Sequence, residues 1–194
     1  MFERITNQLM GNLKIEPKII ALDESEFSSD YADKYYLKIR RYNVKYFTKI
    51  HIAIDVESRI ILYSQAVRGP KHDIKFVIAP LRSLKKYNIQ YIIADKAYDT
   101  EPILNCINEE IKALNQIPLK SNFKHGWYRR LSQKIFKKEI CSRNNVESVF
   151  NVIKRKFGGI NKSKSTKLKN KETRLKTLVY NIVQYIKISH RIST

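Results

Sequence analysis

The segment ICSRNNVESVFNVIKRKF, residues 140–157, carries the residues best spaced for chemistry. On a helix, steps of four and seven residues return to nearly the same side, so Arg143, Glu147 and Lys154 form one line. Val146, Val149, Phe150, Ile153 and Phe157 fill the neighbouring face. Such a helix packs by an apolar stripe and shows an Arg–Glu–Lys edge. A carboxylate between two cations suits a divalent-metal site facing a polyanion. Ordinary ion pairs on a solvated face are the plainer reading of the same spacing. Two further acids stand at the ends of apolar runs. Asp23 follows Ile19, Ile20, Ala21 and Leu22, and Asp95 follows Ile89, Tyr91, Ile92 and Ile93. If those runs are neighbouring central strands, their terminal carboxylates meet, and a helix packed alongside presents Glu147. Converging carboxylates repel one another unless a cation joins them. Mg²⁺ takes oxygen ligands and completes its shell with water or phosphate. Two such ions suit an in-line phosphoryl transfer.

The charge supplies the polyanion's counterpart. The chain of 194 residues has a formal net charge of +20, which points to nucleic acid or another anionic surface. Residues 1–119 hold 18 Lys and Arg against 15 Asp and Glu, whereas residues 120–194 hold 20 against 3. Glu147 is therefore one of three acids in a strongly basic stretch. A hydrophobic content of 43% argues for a folded globule. Cys106 and Cys141 are isolated, which excludes a zinc ribbon and a disulfide framework and points to a reducing cytoplasm. No apolar run is long enough to span a membrane, and no signal-peptide core is present, so a soluble, unexported protein is expected.

These residues need elements to hold them. Residues 1–17 read as a short arm or helix. The run after Pro17 reads as a buried strand ending at Asp23. Residues 28–45 read as a polar, Tyr-rich loop. Residues 46–56 and 59–69 read as an antiparallel hairpin, with Asp55 in its turn. A helix follows over 72–87, with His72 structural or a cap. A strand ending at Asp95, a helix from Glu101, and a short strand over 115–120 come next. Asp99 reads as a helix N-cap. Residues 120–138 read as a basic, aromatic insertion or loop. In it Trp127, Arg129 and Arg130 suit stacking on bases and contact with phosphates, against a simple packing role. The Glu147 helix ends at Gly158-Gly159. A Lys-rich segment over 161–171 precedes a last helix with Leu175, Leu178, Val179, Ile182, Val183 and Ile186 as its core stripe. This order gives an α/β domain, a mixed sheet of about five strands flanked by helices. The span 18–160 forms its body, and 161–194 packs on it.

The pattern IIALDESEF, YFTKIHIAIDVESRIILYSQAVRGPKHDI, YIIADKAYDT and CSRNNVESVFNVIKRKFG resembles the DDE transposases of prokaryotic insertion sequences. The resemblance covers roughly residues 18–160. It implies an RNase H-like fold, with Asp23, Asp95 and Glu147 as catalytic ligands of two Mg²⁺ ions, Mn²⁺ being a substitute. It implies cleavage of a DNA strand at element ends and attack of the freed 3′-OH on target DNA. The family's Tyr–Arg–Glu–Lys signature is met by Arg143, Glu147 and Lys154, whereas Ile140 stands at the tyrosine position. Arg143, Lys154 and the neighbouring Arg155 would then hold phosphates. The implied partner is double-stranded DNA bound by a homodimer, in the cytoplasm at the nucleoid. Since the first strand begins near residue 18, the chain reads as the catalytic domain alone. A DNA-binding remnant without activity and an RNase H-like nuclease are the alternatives.

Overall fold

The computed structural model describes residues 1–29, 47–69, 75–120, 126–137 and 144–193. Helix α1 (Phe2–Asn12) leads into β1 (Ile19–Ser29). Strands β2 (Phe47–Asp55) and β3 (Ile61–Arg68) follow, then helix α2 (Lys75–Ser83). After β4 (Tyr91–Ile93) come a 3₁₀ turn, Lys96–Tyr98, and helix α3 (Glu101–Asn105), which widens into a π-helical segment over Cys106–Ile111. Strand β5 (Leu114–Gln116), helix α4 (Trp127–Ile135), helix α5 (Asn144–Phe157), strand β6 (Ile160–Asn161) and helix α6 (Thr166–Ser193) complete the chain.

The sheet order is β3-β2-β1-β4-β5, and β6 joins the far end of β1. Strands β1, β2 and β3 pair antiparallel, whereas β4 and β6 run parallel to β1. The β2–β3 hairpin and the adjacency of β1 and β4 match the reading of the sequence. The hairpin turn is set by Asp55, whose buried carboxylate accepts hydrogen bonds from the backbone N–H and the hydroxyl of Ser58 at 2.8 and 2.6 Å.

Both sheet faces are covered, as a strand apolar on both sides requires. Ile20, Leu22, Ile92 and Ala94 face α2, α3 and the π-helical segment through Leu81, Leu104 and Ile107. Ala21, Phe27, Ile50, Ile52, Ile54 and Ile93 face α5 through Val146, Val149, Phe150 and Ile153. The apolar stripe expected of the Glu147 helix is thus the one it buries. Gly158, at φ 85°, ends that helix. Among the described residues no helix is long and apolar enough to cross a membrane.

Four expectations are corrected. Strand β1 does not stop at Asp23 but continues through the polar DESEFSS, because β2 pairs with it up to Ser28. Residues 127–135 are helix, not loop. The helix begins at Gly126, whose φ of 143° suits glycine, and any β-carbon there would run into the Glu101 carboxylate. That carboxylate accepts the Tyr128 N–H at 2.8 Å. The Lys-rich segment after residue 161 is helical from Thr166 onward. The last helix buries only part of the stripe its apolar residues mark. Leu178 is buried in the core and Val179 and Val183 are half-buried, but Leu175, Ile182 and Ile186 are exposed, while Thr173, Thr177 and Asn181 are fully buried.

That polar face suits what it meets, the outer edge of the sheet. Strand β3 is an edge strand with unpaired backbone groups, which need partners wherever they are covered. Asn181 satisfies two of them, accepting from Ile61 N–H at 2.9 Å and donating to Ile61 C=O at 2.7 Å. Thr177 and Ser64 share a hydrogen bond at 2.9 Å. Gln184 donates to Ser58 C=O at 3.0 Å. Lys176 is buried as well. Its ammonium donates to Gly158 C=O, Ile160 C=O and Asn161 Oδ1, and lies over the Phe27 ring.

Candidate active site

Asp23 lies at midspan of β1, and Asp95 two residues beyond β4. The β1–β4 register pairs Ala21 with Ile93, so two more residues bring Asp23 and Asp95 level. Side chains alternate along extended backbone. Asp23 therefore shares the face of Ala21, and Asp95, still extended at φ −80° and ψ 175°, shares that of Ile93. This is the face covered by α5. The two aspartates line one concavity of about 320 Å³ with Ala21, Ile93, Lys96, Pro118 and Val146 among its walls. Backbone N–H groups orient both carboxylates. Asp23 Oδ1 accepts from Glu24 N–H and Asp95 Oδ1 from Ala97 N–H, each at 2.8 Å. Asp95 thereby caps the 3₁₀ turn while its carboxylate lines the pocket.

The electrostatics mark the same place. Burial foremost, then the charges of Glu24, Asp23 and Asp95, push the Tyr98 hydroxyl well above the ordinary tyrosine range. Tyr98 thus stays neutral beside three carboxylates. Glu24, on the opposite face of β1, is engaged by the buried Lys49 ammonium and by His51 Nδ1 at 3.4 Å.

Glu147 is an exposed residue in the first turn of α5, where its charge favours the helix dipole. Its neighbour Val146 forms part of the pocket wall. Helix α5 runs along β1 in the same direction. Lys154, seven residues after Glu147, places its ammonium 5.6 Å from the Phe27 ring centroid. Among the described residues, no three metal-ligating side chains gather closely enough to hold an ion. The structure thus brings Asp23 and Asp95 into one pocket, whose lining includes Val146 but not Glu147.

Of the expected DNA contacts, Arg155 and Arg130 are exposed, Trp127 is 72% exposed, and Lys154 is half-buried over Phe27. Arg129 is held inward. Its Nε lies 2.9 Å from Asp99 Oδ1, and a second guanidinium nitrogen donates to Asp99 C=O. Asp99 is fully buried and also accepts from Lys120 N–H, so it is a tie between α4 and the pocket region and not a helix N-cap. Arg143 and His72 lie outside the described residues. Sequence reasoning passed over Lys96 and Tyr98. Their signal was adjacency to Asp95 in ADKAYD, within one turn of the chain.

The pocket holds carboxylate oxygens and a lysine, with neither thiol nor imidazole in its lining. That donor set fits a hard divalent cation such as Mg²⁺, which binds through one or two carboxylates and takes further oxygens from substrate phosphate and water.

The fold has counterparts among solved structures. A cryo-EM structure of a piggyBac transposase synaptic complex with hairpin DNA matches with a TM-score of 0.51 at 12% identity, over 92% of this chain and 48% of that one. The present chain thus spans about half the length of that transposase. A crystal structure of the catalytic core domain of BIV integrase matches at 11% identity and TM-score 0.45, over 92% of this chain and 99% of that one. No match was found among curated proteins. The mixed sheet with helices on both faces is RNase H-like. The family model described as "Transposase DDE domain" matches residues 15–182, nearly the whole chain, and the protein belongs to that family.

Proposed function

We propose that this domain cleaves DNA strands at the ends of a mobile element and joins them to target DNA, with Asp23, Asp95 and Glu147 as the acidic triad. The observation that carries the reading is the shared pocket of Asp23 and Asp95, on the sheet face covered by α5. Asp23 and Asp95 would hold a divalent ion first, and Glu147 would complete the set from the margin of the pocket. When bound, such ions lower the pKa of water and neutralise charge on the attacking and leaving oxygens. The chain's own residues do the rest. Backbone N–H groups of Glu24 and Ala97 hold the aspartates in fixed rotamers. Lys96 offers its ammonium to a phosphate entering the pocket, and Lys154 and Arg155 extend that grip along α5. Arg130 and the exposed Trp127 suit the DNA beyond. Arg129, tied to Asp99, holds α4 in place for them. The transposase with the similar fold was captured on hairpin DNA, which supports DNA as the ligand here. We propose a homodimer as the active assembly, so that two ends are processed together.

Incubation of the purified chain with supercoiled plasmid carrying the element's ends and Mg²⁺ or Mn²⁺ tests the reading. Nicked and joined products are expected. Asp23→Asn, Asp95→Asn and Glu147→Gln should each lower product yield by two orders of magnitude or more, with unchanged circular dichroism. Full activity in Glu147→Gln would remove it from the triad. Tight DNA binding without cleavage in either metal would favour a remnant that only binds.

A further inference from the structure

Helix α6 turns its most regular apolar row away from the protein. Leu168, Leu175, Ile182 and Ile186 are 51%, 53%, 38% and 48% exposed, with Val179 half-buried among them. The steps of seven, four, three and four residues are those of a coiled-coil seam. The row lies opposite Thr173, Thr177 and Gln184, the side that docks on the sheet. It spans about 27 Å, enough for five helical turns. The row is broken at Lys171 and Glu172 and closes up from Leu175 to Ile186, an exposed apolar face of the kind that marks interaction sites.

Charge selects the occupant. Lys167, Lys171 and Arg174 border the row on one side, and Lys187 lies toward the other near its C-terminal end. Glu172 is the sole acid on the helix, and its carboxylate already accepts from Lys162 and Ser163 N–H and pairs with Lys176. A second copy laid on this face would set lysine against lysine. Beside the row is a concavity of about 340 Å³ lined by Met1, Phe2, Lys171, Arg174, Leu175 and Leu178. Its apolar floor and cationic rim suit a large apolar side chain followed by a carboxylate.

We propose that the outer face of α6 is the seat of an amphipathic helix from a second protein, with its apolar stripe bordered by Asp and Glu. Heptad contacts along the row supply affinity, and the lysine borders supply orientation and partner choice.

The test uses the full chain and a labelled synthetic helix of about 20 residues, with Leu and Ile at heptad positions and Glu on the flanks. Two controls are a scramble of identical composition and a version with Lys flanks. Anisotropy near physiological ionic strength should show the designed helix binding at least about tenfold more tightly than either control. Leu175→Asp and Ile182→Asp, both at exposed positions, should erase the advantage over the scramble. The pair Lys171→Glu and Arg174→Glu should narrow or reverse the preference against Lys flanks. Equal binding of scramble and designed helix would show plain charge attraction and overturn the proposal. Self-association of the chain in sedimentation, abolished by Ile182→Asp, would overturn it in favour of a second copy.

Discussion

Asp95 performs two tasks that its side chain separates cleanly. One oxygen caps the Lys96–Tyr98 turn through Ala97 N–H, and the carboxylate also lines the pocket with Asp23. Asparagine caps as well as aspartate but carries no charge. Asp95→Asn should therefore abolish strand cleavage while leaving the urea midpoint close to wild type. Asp95→Ala should in addition lose about 1 kcal/mol of stability, the usual worth of a cap. Glu172 gives a different kind of signal. Partial burial raises its pKa, but the Ser163 and Lys162 hydrogen bonds and the Lys176 charge outweigh that and bring it down to about 2. A carboxylate depressed on folding stabilises fully above its unfolded pKa, near 4.5, and loses that contribution as pH falls toward 2. Thermal melts should show wild type losing stability over that window, with Glu172→Gln less stable at neutral pH and flatter below 4.5. Identical pH profiles for the two would contradict the pairing.

At the scale of the element, α6 shows what hydrophobic pattern leaves out. Leu175, Leu178, Val179, Ile182, Val183 and Ile186 look like a core stripe, because apolar residues at these steps usually are one, yet of these only Leu178 is buried. The sheet offers α6 an edge strand, however, and an edge is matched by hydrogen bonds before it is matched by methyl groups. Asn181 fills that need with two bonds, from Ile61 N–H and to Ile61 C=O, and donates a third to Thr6 on α1. Asn181→Ala should cost about 2–3 kcal/mol, since it leaves buried backbone groups unpaired. Leu175→Ala, at 53% exposure, should cost well under 1 kcal/mol. Urea unfolding of both separates the two accounts of the helix, and the reverse order would restore the apolar stripe as the docking face. The same contrast explains which elements were legible. The Glu147 helix was, because Val146, Val149, Phe150 and Ile153 recur at helical steps and meet a sheet face. The extension of β1 was not, because DESEFSS is polar and is held by its pairing with β2. Helix α4 was hidden because its docking depends on the Glu101 carboxylate and the Arg129–Asp99 pair, neither of which leaves an apolar period. The two aspartates were legible as a pair because each follows an apolar run. Their levelness depends on the β1–β4 register, which only the fold supplies.

For the whole molecule, +20 overstates the charge on offer to a ligand. Lys49, Lys169 and Lys176 are buried, and Lys49 and Lys176 meet internal carboxylates or carbonyls. Arg82 and Lys85 are paired with Glu110. In the proposed function the remaining exposed cations would set how steeply DNA affinity falls with salt. Converting Lys154 and Arg155 to glutamine should lower the log K against log salt slope by about 2, weakening binding to all sequences alike. Converting Arg82 and Lys85 should leave the slope near its wild-type value. Filter-binding titrations across a salt series measure both, and equal losses from the two pairs would refute a localised DNA face.

Strand β1 works as a beam fastened along one side. Ladder partners on β2 run from opposite Ile20 to opposite Ser28, whereas on its other flank β4 meets only Ile19–Ala21 and β6 only Ser28 and Ser29. The stretch between those two short clamps carries Asp23. Its main chain is braced by the β2 ladder, while among the described residues no strand pairs with that flank between Leu22 and Phe27, so in the proposed function a strand of nucleic acid would approach Asp23 over a braced support. Loading the site should then rearrange side chains and the α5 margin while the backbone of β1 stays where it is.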